Sequence, residues 1–154
     1  MKIVFSVLFT FFCIAQVNCH EREYYAAAVN RYVDFINRIS HGEEFAQYEV
    51  GATLISPACR KIFNGGICIQ GRDTIISDLL LVHKNHGSWT ISPADTIISS
   101  GDQTVVLRLF IDMEKFGIFN AIVILRYDSH GLVTEINEVF NRVEGTYSFE
   151  GVNK

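Results

Sequence analysis

The chain has little that would serve a nucleic acid, a metal or a phosphate. It contains no run of Lys and Arg, and its formal net charge is −4 at pH 7. Nucleic-acid binders instead show a basic patch and a high pI. Asp and Glu are scattered rather than blocked, which excludes an acidic disordered tail. Only two prolines occur, with no low-complexity segment and no internal repeat. The four cysteines lack the paired Cys or His spacing of a zinc site. There is no phosphate loop, no Gly-x-Ser-x-Gly elbow, no dinucleotide fingerprint and no Asn-x-Ser/Thr sequon. No apolar run reaches the roughly 20 residues of a membrane-spanning helix. What remains is a chain of 154 residues, 49% of them apolar, long enough for one domain with a real core.

The N-terminus differs in kind from the rest. Lys2 precedes IVFSVLFTFFCIA, an apolar run from Ile3 to Ala15. A short basic start and a short apolar stretch fit a secretory signal peptide. Cleavage after Ala15 and after Cys19 both suit the small-residue rule. The expected division is a signal peptide over 1–19, a domain over 20–145 and a tail over 146–154, in a secreted or periplasmic protein. A buried helix or an uncleaved anchor is the alternative. Lipidation at Cys19 is another, disfavoured by Val17 and Asn18 where small residues are usual. Cleavage after Cys19 leaves Cys59 and Cys68, which flank the hairpin CRKIFNGGIC. With Asn64-Gly65 as a two-residue turn they lie diagonally on one face, about 7 Å or more apart between backbones. Disulfides prefer less, so a distorted bond and two thiols both remain open.

Apolar residues recur at Tyr25, Val29, Tyr32, Ile36 and Ile39, with Val33 and Phe35 widening the stripe. This is one face of a helix, ended by His41-Gly42. A short second helix is expected over 43–50, then Pro57 and the hairpin at 60–69. GRDTIISDLLLVHKNHG reads as a further helix, with Asp73 as its N-cap or first-turn acid. The period then changes to two. Short strands are expected at 88–92 and 95–99, and long ones at 103–113, 118–127 and 132–142. Helices segregated from an antiparallel meander make an α+β fold. A long curved sheet wrapped on helices commonly leaves a cavity between the layers.

This order, from YYAAAVNRYVDFINRISHG through GRDTIISDL to the closing phrase YDSHGLVTEINEVF, resembles the nuclear transport factor 2-like superfamily. Within it the chain is similar to the SnoaL-like (polyketide-cyclase-like) branch. Asp128, Gly131, Val133 and Glu138 fill that branch's last-hairpin pattern, with Ser129-His130 lengthening the turn. The resemblance covers about residues 24–142. It implies a cystatin-like cone, a curved antiparallel sheet wrapped on helices and apolar inside. Members include ketosteroid isomerases, scytalone dehydratase, epoxide hydrolases, polyketide cyclases and non-enzymes, so fold alone does not assign function. Dimers through the outer sheet face are frequent in the family, and a homodimer is expected here.

Parity supplies the candidate site. On 103–113 the odd set from Val105 to Met113 is wholly apolar and therefore buried. Both faces of 118–127 are apolar, so one should meet the helices and the other further protein. On 132–142 Glu138 shares a face with Thr134, Ile136 and Phe140, whereas Glu135 and Asn137 lie with Val133 and Val139. Glu138 stands where epoxide hydrolases of the superfamily carry a water-activating carboxylate. Their Arg and Asp two residues apart are not reproduced, because Phe110 follows Arg108 at that spacing. Glu138 and Arg108 are nevertheless the candidate acid–base pair. Tyr32, Trp89, Phe110 and Arg126 are the candidate ligand-lining residues. His83 and His86 complement a helix end rather than bind metal. The expectation is a small apolar ligand in a cavity, with no cofactor and no metal. Isomerase, dehydratase or cyclase chemistry through Glu138 is the alternative, and a non-catalytic dimeric interaction module is a third reading.

Overall fold

A computed structural model describes residues 22–43, 45–99 and 102–143. The expected signal peptide and C-terminal tail lie outside them, as do Cys13 and Cys19. The first helix, α1, spans 22–40. It buries Tyr25, Ala28, Val29, Tyr32, Phe35, Ile36 and Ile39, the face that the periodicity marks out. Then come α2 (Phe45–Leu54), β1 (Ile55–Phe63), β2 (Ile67–Gln70) and α3 (Arg72–His86). Strands β3 (Trp89–Ser99), β4 (Thr104–Met113), β5 (Gly117–Tyr127) and β6 (Val133–Arg142) complete the chain. Asp73 lies in the first turn of α3, and Gly71 holds the cap position.

The six strands form one sheet in the order β2-β1-β6-β5-β4-β3. It is not purely antiparallel, because β1 runs parallel to β6. That pairing joins the first hairpin to the last strand across most of the domain and leaves no local trace in the sequence. Pro57 falls where the β1–β6 register breaks, between Ile55 and Arg60, so no ladder bond is lost there. The two short strands expected around 88–99 are one strand. Pro93 is accommodated at a bulge before Asp95 on this edge strand.

The inner face of the sheet carries Val105, Leu107 and Leu109 of β4 and Ala121, Val123 and Leu125 of β5, all buried with the helices' apolar faces. On β6 the register shifts near Tyr127. Tyr127 pairs with Val133 and Arg126 with Glu135, which leaves Thr134 as the extra residue. Val133 therefore turns inward with Ile136, and not outward with Glu135 and Asn137 as strict alternation implies. The preceding turn explains its own residues. Asp128 Oδ1 accepts from the His130 and Leu132 N–H groups, both at 2.9 Å. Gly131 has φ +80°, and a Cβ there would sit 1.7 Å from the Tyr24 hydroxyl.

The first hairpin turns over three residues, Asn64 to Gly66, since Phe63 pairs with Ile67 and Ile62 with Cys68. Asn64 and Gly65 both take positive φ. The extra residue moves Cys68 to the face opposite Lys61. Cys59 is buried, Cys68 is exposed, and both are free thiols. The turn length thus decides between the two possibilities left by spacing. Burial, followed by the charge of Glu135, pushes the Cys59 thiol up to about 12. A thiol reagent mapped by peptide mass spectrometry should modify Cys68 faster than Cys59 by on the order of a hundredfold in the folded protein, and equally after unfolding.

Candidate active site

Three elements bring polar side chains to one place on the inner face. On β1, Cys59, Lys61 and Phe63 alternate inward, with Lys61 opposite Ile136 and Phe63 opposite Glu138. The Lys61 Nζ lies 3.3 Å from Glu138 Oε2, with the two side chains 7% and 16% exposed. From α1 the buried Tyr32 phenol comes close enough to the same carboxylate to feel its charge. Burial first, and the Glu138 charge second, hold the Tyr32 phenol well above its ordinary pKa. It therefore keeps its proton at any physiological pH.

The backbone around Glu138 is clamped from the first hairpin. The Asn64 N–H donates to the Glu138 carbonyl at 2.8 Å, and the Phe140 N–H donates to Asn64 Oδ1 at 3.0 Å. Asn64 thus closes its turn and fixes the strand on both sides of the carboxylate. Beside it, Phe63 and Phe119 both pack edge-on to Phe140, at 4.5 Å and 5.7 Å between centroids. These rings are only half-buried, so the polar cluster adjoins an apolar, partly open wall. The Lys61 ammonium also lies 5.9 Å from the Phe63 ring centroid, near the outer limit of a cation–π contact.

The expected pair of Glu138 with Arg108 does not form. Arg108 has the parity opposite to the buried Leu107 and Leu109, so it lies on the outer face, 3.0 Å from Asp95. Lys61 takes the position beside Glu138 instead. Phe110 and Arg126 share that outer parity and lie on the face away from Glu138. Arg126 and Arg60 clasp Glu135 from either side, at 3.5 Å and 2.5 Å. Trp89 is buried at the junction of α1 and β3, where its carbonyl accepts from the Ser40 hydroxyl. Asn37 extends this junction, pairing with the N–H and carbonyl of Ile91 at 2.7 and 3.1 Å. His83 Nδ1 lies 2.7 Å from the Ser40 carbonyl, and the His86 ring rests on Phe116. Among the described residues no group of three or more His, Cys, Asp and Glu could hold a metal ion. No described helix is long and apolar enough to cross a membrane.

Solved structures share this architecture. A nuclear transport factor 2-like protein of unknown function from Exiguobacterium sp. 255-15 superposes with a TM-score of 0.63 at 18% identity, covering 75% of this chain and 99% of that one. The chain has the nuclear transport factor 2-like fold. Another structure with this fold, provisionally described as an isomerase of the SnoaL-like family from Agrobacterium tumefaciens str. C58, gives a TM-score of 0.65 at 6% identity, covering 76% and 97%. A steroid delta-isomerase from Pseudomonas aeruginosa gives 0.57 at 15% identity, covering 78% and 81%. No family model and no curated protein matches the sequence. A nuclear transport factor 2-like sheet presents its inner face to the helices, and here that is the face that carries Lys61 and Glu138.

Proposed function

We propose that this is an exported acid–base enzyme of the SnoaL-like kind, an isomerase or cyclase. It would bind a small apolar molecule against the inner face of the sheet and move a proton with Glu138. The observation that carries this reading is the inward carboxylate, held by the Lys61 ammonium at 3.3 Å with the buried Tyr32 phenol beside it. A ligand oxygen arriving beside Glu138 meets the Lys61 ammonium as a donor, and a ligand C–H meets a positioned base. The partly exposed rings of Phe63, Phe119 and Phe140 suit an apolar ligand body. Neighbours of the same fold described as SnoaL-like polyketide cyclases and a steroid delta-isomerase support the same class. The basic and apolar N-terminus supports export.

The experiment is proton exchange. Apolar ketones incubated with the protein in deuterium oxide should gain deuterium at the α-carbon faster than in buffer. An unchanged exchange rate across cyclic and open-chain ketones defeats the reading.

The assembly we infer is a homodimer through the outer sheet face. Ile122 and Val139 are cross-strand partners there, 49% and 50% exposed, and Ile118 lies further along β5 at 49%. A patch of this kind on a water-soluble domain marks a contact surface. Sedimentation velocity should report a dimer, and Ile122→Lys should weaken it at least about tenfold, since a charge buried in an apolar interface is costly. A wild-type monomer at micromolar concentration contradicts this assembly.

A further inference from the structure

Lys61 is more than a counter-ion in this arrangement. Among the described lysines, Lys84 and Lys115 are exposed, whereas Lys61 is 5% exposed on an apolar sheet face. Its primary amine is a nucleophile that stands beside a proton carrier, with Glu138 Oε2 at 3.3 Å. A buried lysine next to a carboxylate has the parts of an amine catalyst, a nucleophile and a group to take and return protons. The half-buried edges of Phe63, Phe119 and Phe140 provide an apolar approach on the Glu138 side.

We propose that Lys61 attacks the carbonyl carbon of an apolar ketone or aldehyde and holds it as an iminium ion, with Glu138 as the proton carrier. This rests on the acid–base reading of the same site and names its substrate class. The steps balance. The Lys61 ammonium gives a proton to Glu138, and the free amine adds to the carbonyl to form a carbinolamine. Glu138 returns the proton to the leaving hydroxyl, which departs as water. The net change is ammonium plus carbonyl to iminium plus water. Glu138, again a carboxylate, then removes a proton from the carbon next to the iminium, giving an enamine. Reprotonation at another carbon is an isomerisation. Attack of the enamine carbon on a second carbonyl in the same molecule forms a carbon–carbon bond and is a cyclisation. No oxidant, reductant or further reactant is consumed.

Trapping tests this directly. The full-length folded protein is treated with benzylacetone and sodium cyanoborohydride near neutral pH and mapped by peptide mass spectrometry. The Lys61 peptide should gain the mass of the ketone less one oxygen, at least tenfold more than the peptides of Lys84 and Lys115. The adduct should vanish in Lys61→Arg and fall at least tenfold in Glu138→Gln. Equal labelling of all lysines, or none at Lys61, overturns the proposal. The parent reading is separated by two measurements. Line broadening of the alcohol analogue of benzylacetone reports binding without imine formation. If Lys61→Arg still exchanges ketone α-protons and Glu138→Gln does not, the iminium route fails and direct proton transfer stands. If binding and exchange are both absent as well as the adduct, both readings fail.

Discussion

Glu138→Gln should lower protein-dependent α-proton exchange by about 10²- to 10⁴-fold, the range expected when a positioned general base is removed. The substitution is close to isosteric. The glutamine oxygen can still accept from Lys61, so that contact need not be lost with the charge. A matched control lies three residues earlier on the same strand. Glu135→Gln makes the same chemical change on the outer face, where Arg60 and Arg126 hold the carboxylate away from the cluster. It should leave exchange unchanged to within about twofold, because surface ion pairs contribute little and this one faces the other way. Circular dichroism on both variants separates a chemical loss from an unfolded sample. Equal rates for the two variants would remove Glu138 from the reaction.

Much of this architecture was legible because its signals are local. The α1 stripe, the odd-numbered buried set of β4 and the Asp128–Gly131 turn each follow from a period or a turn rule. Glu138 stood out because a carboxylate between Ile136 and Phe140 breaks an apolar face. Three features were not legible, each for a physical reason. The parallel pairing of β1 with β6 is a long-range contact without a sequence signature. The bulge at Thr134 breaks the alternation that parity relies on, which is why Val133 appeared to face outward. The third residue in the Asn64–Gly66 turn reversed the face of Cys68. The partner of Glu138 was missed for a different reason. Lys61 carries no motif, although its alternation with Cys59 and Phe63 already places a lysine on an apolar face. Arg108 entered through the resemblance to epoxide hydrolases, which carry an Arg on an earlier strand, yet its parity with respect to Leu107 and Leu109 sends it outward.

The second large effect concerns why a charged pair sits on that face at all. Lys61→Met leaves the Glu138 carboxylate largely shielded beside the Tyr32 phenol. Breaking a buried pair from one side costs about 3–5 kcal/mol. The lower end is expected here, because the Glu138 side chain keeps 16% exposure and can recover some hydration. In urea unfolding this appears as a fall in midpoint at constant slope. The combined variant Lys61→Met, Glu138→Leu, Tyr32→Phe removes both charges and the buried hydroxyl beside them. Apolar residues of similar volume should restore stability to within about 1 kcal/mol of wild type or exceed it. That pattern would mean that the pair is not retained for the fold's sake. In that case a domain that could fill this position with Leu and Met, but keeps a lysine, a glutamate and a tyrosine side by side, would be giving up stability for chemistry at the inner face. If the triple variant instead stays several kcal/mol below wild type, the cluster is a structural one, and the case for proton transfer would rest on the exchange measurement alone.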